Sequence, residues 1–196
     1  MKKRKLVLSK ERAKIIDSFV KLCIKEEQIS YALNAARMGA SKKAIISLVD
    51  AYLDIKRFRL AIEAGKLGIS RGALDRLVKF FLSADSSFRN QEAGEIVEIL
   101  EMAKAFGLKI PTSTANSLLK TFTEDEMMGS ATVTARNFGA SREMVDFLVK
   151  TCLEKNWTIK REKPPSSLVH FIKIEGRILT DEEKEEITKF ILGNNS

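Results

Sequence analysis

Apolar residues recur along this chain at spacings of three and four over six segments, and the segments share one frame. Leu48-Val49, Leu77-Val78, Leu118-Leu119 and Leu148-Val149 are each followed, three positions on, by Tyr52, Phe81, Phe122 and Cys152. Phe19-Val20 and Cys23 fit the same frame near the start, and Ile187, Ile191 and Leu192 continue it near the end. Such spacing sets the residues on one stripe of an α-helix. Ahead of each stripe but the first lies a shorter apolar segment closed by a glycine. The segment Ala61–Leu82 (AIEAGKLGISRGALDRLVKFFL) is the cleanest copy, and Ala32–Leu53 and Thr132–Leu153 align with it without a gap.

The glycines are Gly39, Gly68, Gly107, Gly139 and Gly176, spaced by 29, 39, 32 and 37 residues. Ala35, Ala64, Ala103 and Ala135 precede the first four by four positions. A glycine just past a helix closes the last turn in the left-handed conformation without a Cβ penalty. Ser41, Ser70 and Ser141 follow two residues later, placed to cap the next helix by accepting a backbone N–H. After Gly107 the turn is longer by two residues, and Pro111 suits the first turn of the helix that follows. Thr180 with Glu183 reads as a capping box.

The pattern therefore predicts an all-α chain of about five helical hairpins preceded by one extra helix. The extra helix covers about Ser9–Lys25, after a basic tail over 1–8. Hairpins follow at about 28–54, 57–83, 90–122 and 124–155, with 83–90 as a loop, so the repeat array spans 9–155. Residues 156–165 (NWTIKREKPP) read as a loop or hinge, because Pro164-Pro165 cannot lie in a helix interior. A last helical hairpin is predicted within 166–196.

Ala51-Tyr52 through Phe58 to Ala61 (AYLDIKRFRLA) resembles the join between tetratricopeptide repeats, in which two aromatics and a small alanine keep these separations. The resemblance implies a right-handed α-solenoid with a concave binding surface. It carries over no ligand, since neither the clamp residues of peptide-binding members nor a one-base-per-repeat side-chain code has a counterpart here.

Composition changes the picture in one respect. The chain has 196 residues, is 44% apolar and 7% aromatic, and carries a net charge of +8. Residues 1–60 hold 15 Lys and Arg against 6 Asp and Glu, whereas 61–130 hold 8 against 10 and 131–196 hold 11 against 10. The excess positive charge belongs to the first third, which points to a face for an acidic partner. No apolar run approaches the ~20 residues of a membrane span, and Leu6–Leu8 is too short for a signal-peptide core. The expected location is intracellular and cytoplasmic, or nuclear in a eukaryote should Lys2–Lys5 (KKRK) act as an import signal.

The candidate binding residues lie at the turns. Lys42, Arg71 and Arg142 each follow a capping serine, Lys43 extends the first of these, and Arg37 and Lys66 precede the glycines. A cation in the first helical turn opposes the helix dipole by about 0.3–1 kcal/mol, so its recurrence invites a functional reading as a rim for phosphates or carboxylates. The opposing reading is a solvated face with acidic neighbours such as Asp75 and Glu143. His170 is the sole histidine and reads as a partly buried helix residue; Cys23 and Cys152 read as buried thiols. Glu124-Asp125-Glu126 and Asp181–Glu186 read as helix starts, and Trp157 and Phe88 as exposed loop anchors. The sequence shows no catalytic constellation, metal-ligand spacing or nucleotide-binding glycine motif. It predicts a non-enzymatic module without cofactor that binds a protein or peptide, the alternative being an RNA- or DNA-binding solenoid.

Overall fold

A computed structural model describes the backbone of residues 2–161 and 169–192 and the side chains of residues 10–159 and 171–192. Among them are ten helices and one antiparallel pair of strands: α1 (Lys2–Lys25), α2 (Ile29–Arg37), α3 (Lys42–Asp54), α4 (Phe58–Leu67), α5 (Arg71–Ser83), α6 (Ser86–Ala105), α7 (Thr112–Glu124), α8 (Met128–Phe138), α9 (Arg142–Glu154), β1 (Trp157–Arg161), β2 (Val169–Lys173) and α10 (Asp181–Leu192). The chain divides into two compact units, Met1–Ala84 with Glu98–Leu108, and Asp85–Val97 with Lys109–Ser196. The division falls within α6 and its following loop, not at 156–165 where the sequence placed a hinge.

In the first unit each helix packs on the next and on the next but one, from α1 through α5. The predicted stripe is the core of this unit. Val20, Leu48, Val49, Tyr52, Leu77, Val78 and Phe81 are all buried. The buried Tyr52 hydroxyl donates to the Ile29 carbonyl at 3.0 Å, so the one polar atom on that stripe is satisfied. Phe58 stacks on Phe80 with centroids 5.7 Å apart and is itself buried, as are Ala61 and Ala64. In the second unit Leu118, Leu119, Phe122, Leu148 and Cys152 are buried in the same way. There α7, α8 and α9 pack pairwise, and α8, α9 and α10 also meet the strand pair.

The caps follow the sequence. Ser41, Ser70 and Ser141 accept from the backbone N–H groups of Ala44, Ala73 and Met144 at 3.3–3.4 Å. Thr180 and Glu183 form the reciprocal capping box of α10, at 3.0 and 3.3 Å. Pro111 stands as the N-cap of α7, one place before the helix. Asp85 accepts from the Phe88 N–H at 2.9 Å, which starts α6 inside the expected 83–90 loop.

Several expectations change. The segment 1–8 is no separate tail, because α1 is helical from Lys2. The C-terminal hairpin does not begin with a helix: Trp157–Arg161 and Val169–Lys173 pair as strands, Ile159 opposite Phe171. Both runs carry aromatic and β-branched residues in alternation with polar ones, a pattern for a half-buried strand. His170 is thus a strand residue, and Pro164-Pro165 lie outside the described residues. Glu124, Asp125 and Glu126 end α7 instead of starting α8, where carboxylates oppose the dipole. Arg89 compensates by donating to both oxygens of the nearly buried Asp125 at 2.5 and 3.0 Å, and Lys155 pairs with Glu126. Phe19 is 49% exposed, although Leu48, Leu77, Leu118 and Leu148 in the same frame position are fully buried. Trp157 opens β1 with its indole nitrogen buried and unpartnered among the described residues, and Phe88 is a half-buried residue of α6.

The glycines divide into two kinds. Gly39, Gly107, Gly139 and Gly176 have positive φ, as the turns require. Gly68 has φ −157°, an extended value that any residue adopts. Its glycine answers a different need, since a Cβ there would overlap Cδ1 of the buried Ile45. The turns between hairpins, in contrast, place non-glycine residues in the left-handed region: Glu27, Lys56, Glu126 and Asn156. The first three follow helices that close with a Schellman pattern. The N–H of Gln28, Arg57 and Met127 donates back to Cys23, Tyr52 and Phe122 at 2.7–2.8 Å. The carbonyls used are those of the stripe residues themselves.

Two stability predictions follow from these turns. Lys56→Gly relieves a left-handed lysine and raises unfolding free energy by about 0.5–1 kcal/mol, measured by urea denaturation. Gly68→Ala lowers it by about 1–2 kcal/mol. In an Ile45→Val background, which lacks the obstructing methyl, Gly68→Ala becomes close to neutral.

Candidate basic interaction surface

The surface begins with how the turns are held. The Ser41 N–H donates to Asp17 Oδ1 of α1 at 2.8 Å while the Ser41 hydroxyl caps α3. These two bonds fix where α3 starts, so Lys42 and Lys43 are its first two residues, both exposed. The α4–α5 turn rests on the first turns of α3: Gly68 abuts Ile45, and a Cβ on Gly72 would stand 3.0 Å from Ile46 Cδ1. That seat brings Arg71, the first residue of α5 and 68% exposed, to the same end of the unit as Lys42 and Lys43.

The other turn cations are used differently. Arg37 binds Glu63 at 3.1 Å and Asn34 at 3.2 Å, tying α2 to α4. Lys66 pairs with Glu98 at 2.7 Å, tying α4 to the C-terminal half of α6. Arg76 of α5 pairs with Asp50 of α3 at 2.5 Å. Arg71 has only a loose contact with Asp75, at 4.0 Å, and Lys42 and Lys43 form no ion pair among the described residues. Arg142 is exposed at the start of α9 behind the Ser141 cap, in the second unit. Of the six predicted residues, the first unit thus gathers Lys42, Lys43 and Arg71 as available charge. Arg37 and Lys66 are held in inter-helix ion pairs, and Arg142 belongs to a separate unit.

These pairings are not legible in the sequence, because Glu63, Glu98 and Asp50 lie 26 to 32 residues from their partners, outside any single helix period. Two further basic residues have structural duties in the second unit. Arg89 holds Asp125, which raises its guanidinium pKa further, and Arg136 donates twice to the Phe190 carbonyl at 2.9 and 2.6 Å while lying 3.7 Å over the Phe190 ring. Glu126, beside Lys155 and Lys173, is held below the usual carboxylate range chiefly by the Lys155 hydrogen bond.

Groups of three or more His, Cys, Asp or Glu able to hold a metal ion are absent among the described residues. Cys23 and Cys152 are buried free thiols. Burial pushes the Cys152 thiol up to about 12, and its sulfur lies 3.7 Å from that of Met128. A thiol so protonated is a poor nucleophile. The folded protein at pH 8 therefore leaves Cys152 unmodified by iodoacetamide over hours, whereas urea exposes it within minutes; mass spectrometry of the Cys152 peptide distinguishes the two. No family model matches this chain, and comparison with curated proteins and with solved structures likewise finds no match.

Proposed function

We propose that this chain is a non-catalytic helical-repeat module that binds a protein or peptide partner, its basic N-terminal third recognising an acidic stretch of that partner. One observation carries this reading: Lys42 and Lys43 stay exposed with no ion pair among the described residues, and Arg71 at the same end of the first unit meets only Asp75, loosely, at 4.0 Å, while neighbouring Arg37, Lys66 and Arg76 are taken up by Glu63, Glu98 and Asp50. Charges left unpaired or only loosely paired beside neutralised ones are available to a partner. On this reading the helical hairpins stack as a tetratricopeptide-like right-handed solenoid, and the partner lies along it. Among the described residues no helix is long and apolar enough to cross a membrane.

The test uses two fluorescent probes, an oligo-glutamate peptide and a single-stranded RNA of similar length and charge. The proposal expects peptide binding that weakens about tenfold in the triple variant Lys42→Glu, Lys43→Glu, Arg71→Glu. Arg142→Glu, in the other unit, serves as the charge control and leaves affinity unchanged. RNA bound more tightly than the peptide, with affinity falling steeply and linearly in log salt, would establish the nucleic-acid alternative instead.

A further inference from the structure

The outer face of α1 carries a pattern that the basic surface does not use. Ile15, Phe19 and Leu22 are 70%, 49% and 52% exposed on one stripe. The corresponding residues of α3, 29 positions on, are Ala44, Leu48 and Ala51, all buried in a helix that packs on α1 and α2. The stripe on α1 therefore occupies frame positions that α3 buries, yet it is open to solvent. Its ends are charged: Arg12, beside an exposed Glu11 four residues before Ile15, at one, and Glu26, just past the last residue of α1, at the other. Arg12 and Glu26 lie seven residues to either side of Phe19, about two helical turns each way, both exposed and neither in an ion pair among the described residues. Spacings of three and four join Arg12, Ile15, Phe19, Leu22 and Glu26 into a single seam.

We propose that this seam is the interface of a homodimer, in which α1 packs antiparallel on α1 of a second copy about a two-fold axis beside Phe19. A two-fold interface must be self-complementary, and the seam meets that condition. Antiparallel pairing sets Ile15 against Leu22 of the second copy, Phe19 against Phe19, and Arg12 against Glu26 at both ends. An anionic occupant, whether an acidic peptide or a lipid surface, fits less well. Lys14, Lys21 and Lys25 lie roughly 90–130° round the helix from the stripe, and Glu26 would repel such an occupant at one end. The net charge of +8 on each copy opposes association at low ionic strength, so moderate salt strengthens this dimer.

Sedimentation equilibrium of the full chain from 5 to 500 µM in about 0.15 M salt reads the outcome. A monomer–dimer equilibrium with a midpoint on the order of 10–100 µM is expected for a seam of this size. Phe19→Asp, at an exposed position, weakens it by about 100-fold, with circular dichroism and the thermal midpoint showing that the fold persists. Arg12→Glu weakens association by about tenfold, because both symmetric ends become repulsive. The double variant Arg12→Glu, Glu26→Arg restores it to within about threefold of the wild type. A wild type that stays monomeric at 500 µM overturns the proposal. So does a dimer indifferent to Phe19→Asp, or a charge swap that fails to rescue. A wild type that stays monomeric while anionic vesicles bury the Phe19 side chain also overturns it, and assigns the stripe to lipid.

Discussion

A thirteen-residue helix with an apolar stripe is not stable alone in water; it persists only when other helices cover that stripe. This constraint runs through both units. The residue set that supplies the stripe, exemplified by Leu48, Val49 and Tyr52, also supplies the carbonyl that closes the helix, since Arg57 donates its N–H to the Tyr52 carbonyl at 2.8 Å. Packing and termination are thus fixed by one short segment. The closure forces the next residue but one into the left-handed region, and the chain accepts Glu27, Lys56 and Glu126 there, at a local cost of about 1–2 kcal/mol each. In α3 the burial of Leu48, Val49 and Tyr52, each of the order of 1.5–3 kcal/mol, outweighs that cost.

The same constraint explains where charge goes. Helices that stack through apolar stripes leave their polar flanks side by side, so oppositely charged residues on adjacent hairpins meet. Arg37 with Glu63, Lys66 with Glu98 and Arg76 with Asp50 are such lateral pairs. Exposed as they are, each contributes little to stability, at most about 1 kcal/mol, but each removes a cation from the surface on offer. The better-shielded pair is Arg89 with Asp125, whose side chains are 18% and 8% exposed. It neutralises a carboxylate that stands at the wrong end of α7 for the helix dipole.

On the outer face of α1 the constraint is left open. The helix packs on α2 and α3 and buries Val20 and Cys23, while Ile15, Phe19 and Leu22 on its other side meet solvent. An apolar stripe of that length is a face that another helix could cover.

The sequence alone determined much of this protein. Spacings of three and four located the helices, the glycine–serine turns marked most of their joints, and Thr180 with Glu183 named the start of α10. These are local signals, carried by residues within about four positions of one another, and local physics suffices to read them. Only tertiary structure decided which cations are neutralised, because Glu63, Glu98 and Asp50 come near their partners through stacking and not through sequence. It also decided that Phe19 is uncovered though it fits the buried frame, and that Gly68 serves a close approach instead of a turn. The strand pair at Trp157–Arg161 and Val169–Lys173 was hidden for a related reason: a strand exists through its partner, and five residues of alternating character are a weak signal beside the helical period that dominates the chain. The helical frame gives the positions that can be buried; neighbours decide which of them are.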